Sequence, residues 1–285
     1  MRIGAVAMRK VTIGLVQMAM TGNQDGNLRR AIGLVGDAAK EGADVVCLPE
    51  LFVTPYFPQH RKSSVKPSEV PNPVTAALSS AARRHRVVLV GGSVYEKSGK
   101  KSFNTSLVFG EGGEALGAYR KVHLPEDPCF YEQDYFDPGV TYRVFDTSHG
   151  RIAVLICYDQ WYPEAARAVK LMGADIILYP TAIGTLRGVP QSEGSWQRAW
   201  ENVQRGHAIA NSVVVGAANR VGVEGDLRFW GRSFIFNQFG TTLARAGRTE
   251  QVIVAECDLD LAREVEEGWG FLRNRRPATY SRLVK

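Results

Sequence analysis

Short apolar runs alternate with amphipathic helical segments through the first half of the chain, and this alternation limits the folds open to it. Residues 11–17 and 44–48 have the length and apolar content of buried strands. Residues 27–40 carry apolar side chains at helical spacing, and residues 73–85 predict a second helix. A third apolar run covers residues 87–94. The order β-α-β-α-β favours an α/β fold.

The second half repeats this order and then departs from it. The predicted elements are, in order, a strand at 152–157, a helix at 163–172 with proline in its first turn, a strand at 175–179, a helix at 195–210 and a strand at 213–217. Two later apolar runs, residues 233–236 and 251–257, have no helix between them. Because parallel strands need a long crossover connection, the sheets are predicted to be mixed.

No linker rich in Pro, Gly or Ser divides the 285 residues. We therefore predict one domain over residues 1–285, with a core from about residue 11 to residue 283. Hydrophobic residues make up 45% of the chain and charged residues 22%, which is ordinary for a globular protein. The apolar stretch in residues 1–10 is too short for a signal peptide or a membrane span, so no membrane partner is expected.

The net charge of +6 raises the question of a nucleic-acid partner. Only residues 273–276 (RNRR) form a dense basic run, and no aromatic-interleaved basic repeat accompanies it. We predict no nucleic-acid binding and interpret the run as a solvated or subunit-contacting tail.

The four cysteines are Cys47, Cys129, Cys157 and Cys257. They lie far apart, with no CxxC pair and no histidine at metal spacing, which argues against a zinc site or a disulfide framework. A free thiol nucleophile needs a reducing compartment, so we expect a cytoplasmic protein.

Cys157 stands at the end of a predicted strand, in the segment RIAVLICYDQWYP at residues 151–163. At a strand-to-helix junction, helix amides lower the pKa of a thiol and offer N–H groups to an oxyanion. This makes Cys157 a candidate nucleophile. The alternative from this segment alone is a small apolar residue packed in the core.

Two further strand ends carry Glu50, in DVVCLPELFVTP, and Lys121, in AYRKVHLP. A carboxylate, an ammonium and a thiol are chemically sufficient to open a C–N bond beside a carbonyl. Glu50 can take the thiol proton, Cys157 can attack the carbon, and Lys121 can neutralise the oxyanion. The sequence alone does not establish that the three side chains converge.

The segments PELF, YRKVHLP and ICYDQWYPEAAR resemble the three signature segments of the nitrilase superfamily of carbon–nitrogen hydrolases. Their order matches that family, as do the separations of 71 residues between Glu50 and Lys121 and 36 between Lys121 and Cys157. The resemblance implies a four-layer α-β-β-α sandwich with mixed sheets. It also implies that Glu50, Lys121 and Cys157 are catalytic.

Four other segments are most similar to the N-carbamoylputrescine amidohydrolase branch of that superfamily: YPTAIG at 179–184, GHAIAN at 206–211, NRVG at 219–222 and GWGFLRNRRPATY at 268–280. The loop at residues 185–194 departs from that branch, because it lacks an acid-rich sequence. Since this loop is expected to line the pocket, the substrate stays open. The alternatives are an N-carbamoyl amino acid and a small amide.

The resemblance also implies roles for residues around the triad. Glu132 aligns with a second acid, which would orient Lys121 or position the hydrolytic water. Tyr158 would contribute its backbone N–H to the oxyanion hole, and Trp161 and Thr181 would line the pocket. Independently of the resemblance, an ammonium-ended substrate calls for a carboxylate at the far end of the pocket, and Glu193 in the divergent loop is a candidate.

A carboxylate-ended substrate would instead require Arg187 or Arg198. In either case the expected chemistry needs no metal and no organic cofactor. The resemblance further implies a homodimer or higher homo-oligomer, with the C-terminal tail at residues 268–285 in a subunit contact. A remote alternative is an inactive protein whose basic tail binds partners, and the intact set of Glu50, Lys121 and Cys157 speaks against it.

Overall fold

The computed structural model describes residues 9–284, so the expectation for the first residues of the chain lies largely outside them. The strands are β1 Lys10–Gln17, β2 Val45–Cys47, β3 Val88–Val90, β4 Val94–Ser98, β5 Lys101–Phe109, β6 Ala115–Arg120, β7 Glu126–Asp127, β8 Phe130–Tyr131, β9 Val144–Thr147, β10 Gly150–Val154, β11 Ile176–Thr181, β12 Gly184–Leu186, β13 Val214–Asn219, β14 Val221–Glu224, β15 Leu227–Trp230, β16 Phe234–Phe236, β17 Thr242–Arg245 and β18 Gln251–Asp258. The α-helices are α1 Gln24–Lys40, α2 Pro73–His85, α3 Pro163–Leu171, α4 Trp196–Asn211 and α5 Leu261–Trp269.

Two large mixed sheets form the centre of the molecule. The first has the order β18-β1-β2-β3-β5-β4, with β6 paired to β5. Strands β1, β2 and β3 are parallel, while β18, β5, β4 and β6 pair antiparallel with their neighbours. The second has the order β17-β16-β13-β11-β10-β9 and a parallel centre of β10, β11 and β13. The prediction of mixed sheets is confirmed.

The sheets pack face to face, and helices cover their outer faces. One core cluster joins Ile13 and Leu15 of β1 to Ile152 of β10 and Leu178 of β11. A second cluster places Val16 of β1 and other outward residues of the first sheet against α1 and α2. Helices α3 and α4 pack on the second sheet. Alternate residues of one strand thus face opposite layers, and the predicted four-layer α-β-β-α sandwich is confirmed.

Helices α1 and α2 begin directly after asparagine residues that cap them. The side chain of Asn23 accepts a hydrogen bond from the Gly26 amide at the start of α1, and Asn72 accepts one from Thr75 at the start of α2. Pro163 is the first residue of α3, as predicted.

Two predicted strands are shorter in the structure. The run 87–94 divides into β3 and β4, because the chain turns at Gly92, where φ is +61° and a Cβ would lie 2.3 Å from the carbonyl oxygen of Pro49. The strand predicted at 152–157 ends at Val154, and a short 3₁₀ segment spans Cys157–Trp161.

Among residues 9–284 no helix is long and apolar enough to cross a membrane. In the C-terminal tail, Trp269 and Leu283 are 62% and 66% exposed. Its contact with another subunit stays a prediction, as does the single domain over residues 1–285.

Candidate active site

Glu50, Lys121 and Cys157 follow three strands of the two facing sheets. Glu50 comes three residues after β2, Lys121 directly follows β6, and Cys157 begins the 3₁₀ segment after β10. Lys121 Nζ lies 2.7 Å from Glu50 Oε1, and neither side chain is exposed. The charges of both groups act on the Cys157 thiol. The tertiary structure therefore brings the three predicted side chains to one place.

Glu132 is the second carboxylate beside Lys121. Both of its oxygens lie 2.8 Å from Lys121 Nζ, and Oε1 also accepts a hydrogen bond from the Tyr56 hydroxyl at 2.7 Å. Burial raises the pKa of Glu132 to about 7, against the lowering effect of the Lys121 ammonium. Burial also disfavours the charged form of Lys121, but the carboxylates of Glu132 and Glu50 outweigh it and raise the pKa of the ammonium.

Asn104, inside β5, links the two carboxylates. Its Nδ2 donates to Glu50 Oε1 at 2.8 Å and lies 3.4 Å from Glu132 Oε2. The other oxygen of Glu50, Oε2, is buried and has no hydrogen-bond partner among residues 9–284. One carboxylate oxygen of Glu50 is thus fixed by donors, while the other remains available to accept a proton.

Cys157 has φ of +41°, in the left-handed region that non-glycine residues rarely adopt. It is 7% exposed and reaches a cavity. Burial and then the Glu50 charge raise the pKa of its thiol well above the ordinary value, although Lys121 and a backbone hydrogen bond from Ala182 act in the opposite direction. The expectation of a lowered pKa from helix amides was wrong, because no α-helix starts at Cys157 and the thiol is desolvated.

Asp159 holds the turn that carries Cys157. Its buried carboxylate accepts hydrogen bonds from the Ile156 amide at 2.9 Å and from the Tyr119 hydroxyl at 2.7 Å. It also binds His123, two residues after Lys121, through the backbone amide at 3.0 Å and Nδ1 at 2.7 Å. One carboxylate therefore connects the segment after β6 to the segment after β10.

A cavity of about 470 Å³ opens onto Cys157. Aromatic side chains form much of its wall: Phe130, Tyr158, Trp161, Trp196 and Trp230. The charged residues that line it are all acidic: Asp127, Glu132 and Glu193.

The predicted pocket residues divide into two groups. Tyr158, Trp161 and Glu193 line the cavity. At the mouth of the cavity, Glu193 accepts a hydrogen bond from Trp196 Nε1. The structure places Thr181 elsewhere: it is fully buried, and its hydroxyl donates to the Tyr179 carbonyl at 2.9 Å.

Residues 182–184 line the cavity next to Thr181. Arg187 lies in a separate surface cavity with Arg228, and Arg198 is exposed and absent from the lining. Within residues 9–284 no group of three or more His, Cys, Asp or Glu side chains is arranged to hold a metal ion.

Residues 12–267 match the family model for carbon–nitrogen hydrolases. The chain belongs to this family. It is 38% identical to an N-carbamoylputrescine amidase of Solanum tuberosum, over 97% of this chain and 95% of the relative. It is 32% identical to a citrullinase of Francisella tularensis, over 98% of this chain and 99% of the relative. Nit3 of Saccharomyces cerevisiae, a nitrilase-superfamily member, superposes with a TM-score of 0.81 at 31% identity, over 94% and 97% of the two chains.

Family membership confirms the resemblance seen in the sequence, and the protein is an amidohydrolase. Sequence reasoning missed four buried polar residues that surround the candidate triad: Tyr56, Asn104, Asp159 and Arg220. A signal existed for Asn104, since an amide follows Phe103 inside a strand that ends in the apolar residues 107–109. Another existed for Asp159, an acid two residues after the candidate nucleophile.

Proposed function

We propose that this amidohydrolase cleaves N-carbamoylputrescine to putrescine, ammonia and carbon dioxide, with Cys157 as nucleophile. The observation that carries the substrate assignment is the charge of the cavity: every charged residue that lines it is acidic. Putrescine carries an ammonium at its free end, which such a cavity attracts. A carboxylate at that end would be repelled.

The first step begins with the protonated thiol. Glu50 Oε2, which has no other hydrogen-bond partner in the described residues, accepts the thiol proton, and the Cys157 sulfur bonds to the ureido carbon. The carbonyl oxygen becomes an anion, which the Lys121 ammonium and the Tyr158 backbone N–H stabilise. Lys121 has three N–H donors, so it can serve the oxyanion while it holds the two carboxylates.

Collapse of the tetrahedral adduct breaks a C–N bond. Ammonia or the amine leaves with the proton held by Glu50, and a carbamoyl group remains on sulfur. Water then gives a proton to the same carboxylate and adds to the carbonyl carbon, and the departing thiolate takes that proton back, which restores the thiol and the ionised Glu50. The carbamic acid decomposes to carbon dioxide and the remaining amine. Glu132 keeps Lys121 oriented through both half-reactions.

The aromatic wall adds a second reason for an ammonium-ended substrate. Trp161, Trp196 and Trp230 surround the space beyond Cys157, and a cation is attracted to the faces of such rings. The four methylene groups of putrescine also gain free energy from burial against them. Glu193 and Asp127 line the same cavity and are exposed, so their carboxylates would attract an ammonium that enters it.

The test is ammonia release from a substrate panel. It contains N-carbamoylputrescine, N-carbamoyl-β-alanine, an N-carbamoyl-D-amino acid, citrulline and a simple amide, with Cys157→Ala in parallel. We expect the highest kcat/KM for N-carbamoylputrescine and no release by Cys157→Ala. A preference for a carboxylate-ended compound would keep the chemistry and overturn the substrate. No release from any compound would favour an inactive interaction protein.

A further inference from the structure

Arg220 is a fully buried arginine between β13 and β14, far from the nucleophile in sequence. Its Nη2 donates to the carbonyl oxygens of Glu50 at 2.8 Å and Leu51 at 3.0 Å. Its Nη1 donates to both oxygens of Glu224, at 2.8 and 2.9 Å, and lies 3.5 Å from the Thr54 carbonyl. One guanidinium therefore binds the backbone that carries Glu50.

The turn held by Arg220 has an unfavourable backbone conformation. Leu51 has φ of +47°, a left-handed value that costs free energy in a residue with a branched side chain. Its amide donates to the Ser93 hydroxyl at 3.0 Å, while its carbonyl accepts from Arg220. Such a conformation persists only where several contacts fix it, and it is typical of functional sites.

Glu224 extends the same ion pair to the second carboxylate. Its Oε2 accepts a hydrogen bond from the Tyr56 amide at 2.6 Å. The Tyr56 hydroxyl in turn donates to Glu132 at 2.7 Å. Arg220 and Glu224 are thus connected to both residues whose carboxylates bind Lys121. Arg220 binds the backbone carbonyl of Glu50, and Glu224 is linked to Glu132 through Tyr56.

A buried ion pair is a weak source of stability, because desolvation of the two charges offsets much of their attraction. A planar guanidinium can bind a carboxylate and two carbonyl groups at fixed angles, which a lysine ammonium cannot reproduce. The pair therefore has a geometry suited to fixing positions.

We propose that Arg220 and Glu224 are positioning residues, which set the placement of Glu50 and Glu132 around Lys121. The proposal rests on the roles proposed above for those two carboxylates. It does not depend on which substrate is cleaved. Neither residue lines the cavity at Cys157, and the pair acts through the backbone of Glu50 and through Tyr56.

Three variants test this: Arg220→Lys, Glu224→Gln, and the double variant Arg220→Met with Glu224→Met. The double variant removes both charges together, and such replacements of buried pairs are often tolerated in stability. Arg205→Lys is the matched control, since Arg205 binds Gly240 and Thr242 away from the carboxylates.

The readouts are Tm, kcat and KM on the best substrate of the panel. We expect the double variant to stay folded, with kcat lower by about tenfold to hundredfold, the effect of a small misplacement of catalytic groups. KM should change by less than about threefold, because binding contacts remain. Arg220→Lys should give a smaller loss, and Arg205→Lys none. A folded double variant with wild-type kcat, or a loss confined to KM, would overturn the proposal.

The rate at which iodoacetamide alkylates Cys157, followed by peptide mass spectrometry across pH, provides a readout that needs no substrate. Displacement of the base should slow alkylation of Cys157 about fivefold or more at pH 7 while that of Cys129 stays unchanged. An unchanged Cys157 rate in the folded double variant would count against positioning. If the wild-type enzyme rejects N-carbamoylputrescine, the proposed function fails, whereas this measurement still decides the role of Arg220.

Discussion

Asp159 binds His123 twice, through the backbone amide at 3.0 Å and through Nδ1 at 2.7 Å. His123 follows Lys121 by two residues and Asp159 follows Cys157 by two, so this contact joins the segments of the candidate oxyanion-binding group and the candidate nucleophile. The His123 ring also stacks on Tyr162, with centroids 3.6 Å apart. The relative position of ammonium and thiol thus depends on a residue that contacts neither reacting atom.

Asp159→Asn should lower kcat by about tenfold to hundredfold. The groups around the Asp159 carboxylate, including the Tyr119 hydroxyl and the Ile156 amide, donate hydrogen bonds to it. In the variant, the amide nitrogen of asparagine is itself a donor, so one of these groups would lose its acceptor. Steady-state kinetics and Tm measure the effect. Asp175→Asn is the control, because Asp175 also accepts from a backbone amide, that of Arg151, outside the site. A folded Asp159→Asn enzyme within twofold of wild-type kcat would contradict the prediction.

Glu50→Gln should lower kcat by about a hundredfold to ten-thousandfold, the usual contribution of a general base. The thiol has a raised pKa in the folded protein, so it stays protonated at neutral pH unless a base removes the proton. Glu96→Gln is a matched control: Glu96 is buried and paired with Arg120, beside Lys121 in sequence. Ammonia release measures both variants, and equal losses in the two would argue against a base at Glu50.

Tyr56→Phe should shift the acid limb of the kcat/KM profile to higher pH by about one unit. The Tyr56 hydroxyl donates to Glu132 and so lowers a pKa that burial has raised to about 7. Loss of this hydroxyl raises the pKa of Glu132 further, so a smaller fraction of Glu132 is ionised at pH 7. The polar groups that still face Glu132 in the variant are Lys121, Glu50 and Asn104.

The expected profile of Tyr56→Phe loses activity near neutral pH and keeps it at alkaline pH. Tyr95→Phe, which removes a hydroxyl bonded to the Tyr135 carbonyl at 3.3 Å, should leave the limb in place. If the acid limb of the kcat/KM profile lies at the same pH in Tyr56→Phe as in the wild type, ionisation of Glu132 does not govern the rate.

Glu193→Gln and Asp127→Asn should each raise KM for N-carbamoylputrescine by about twofold to fivefold without changing kcat. Both side chains are exposed at the cavity mouth, so solvent and salt weaken their attraction for an ammonium. N-butylurea, which has the same carbon chain without the ammonium, is the control substrate, and its KM should be the same in the variants and the wild type. The KM effect should diminish as salt is raised. An equal change for both substrates would indicate a packing effect instead.

The sequence predicted much of the fold because its signals are local. Strand length, helical spacing and caps such as Asn72 depend on neighbours a few residues away, and the strand and helix order followed from them. The strand at 87–94 was wrong in extent, since the break at Gly92 depends on the approach of Pro49 from a neighbouring segment. Side-chain lining was equally hard to predict: Thr181 lies in the expected segment, but its hydroxyl is bonded inside the chain.

The sequence determined the family, the alternation of strands and helices, and the identity of a carboxylate, an ammonium and a thiol at three strand ends, whereas the layer order followed from the resemblance to that family. The tertiary structure decided which groups surround them. Arg220 reaches the Glu50 carbonyl across 170 residues of chain, and the Tyr56 hydroxyl reaches Glu132 across 76. The raised pKa of Cys157 and the acidic lining of its cavity likewise depend on burial and on charges from several elements. Hydrogen bonds and desolvation act over a few ångströms in space, and only the packed sheets bring such distant segments within that range.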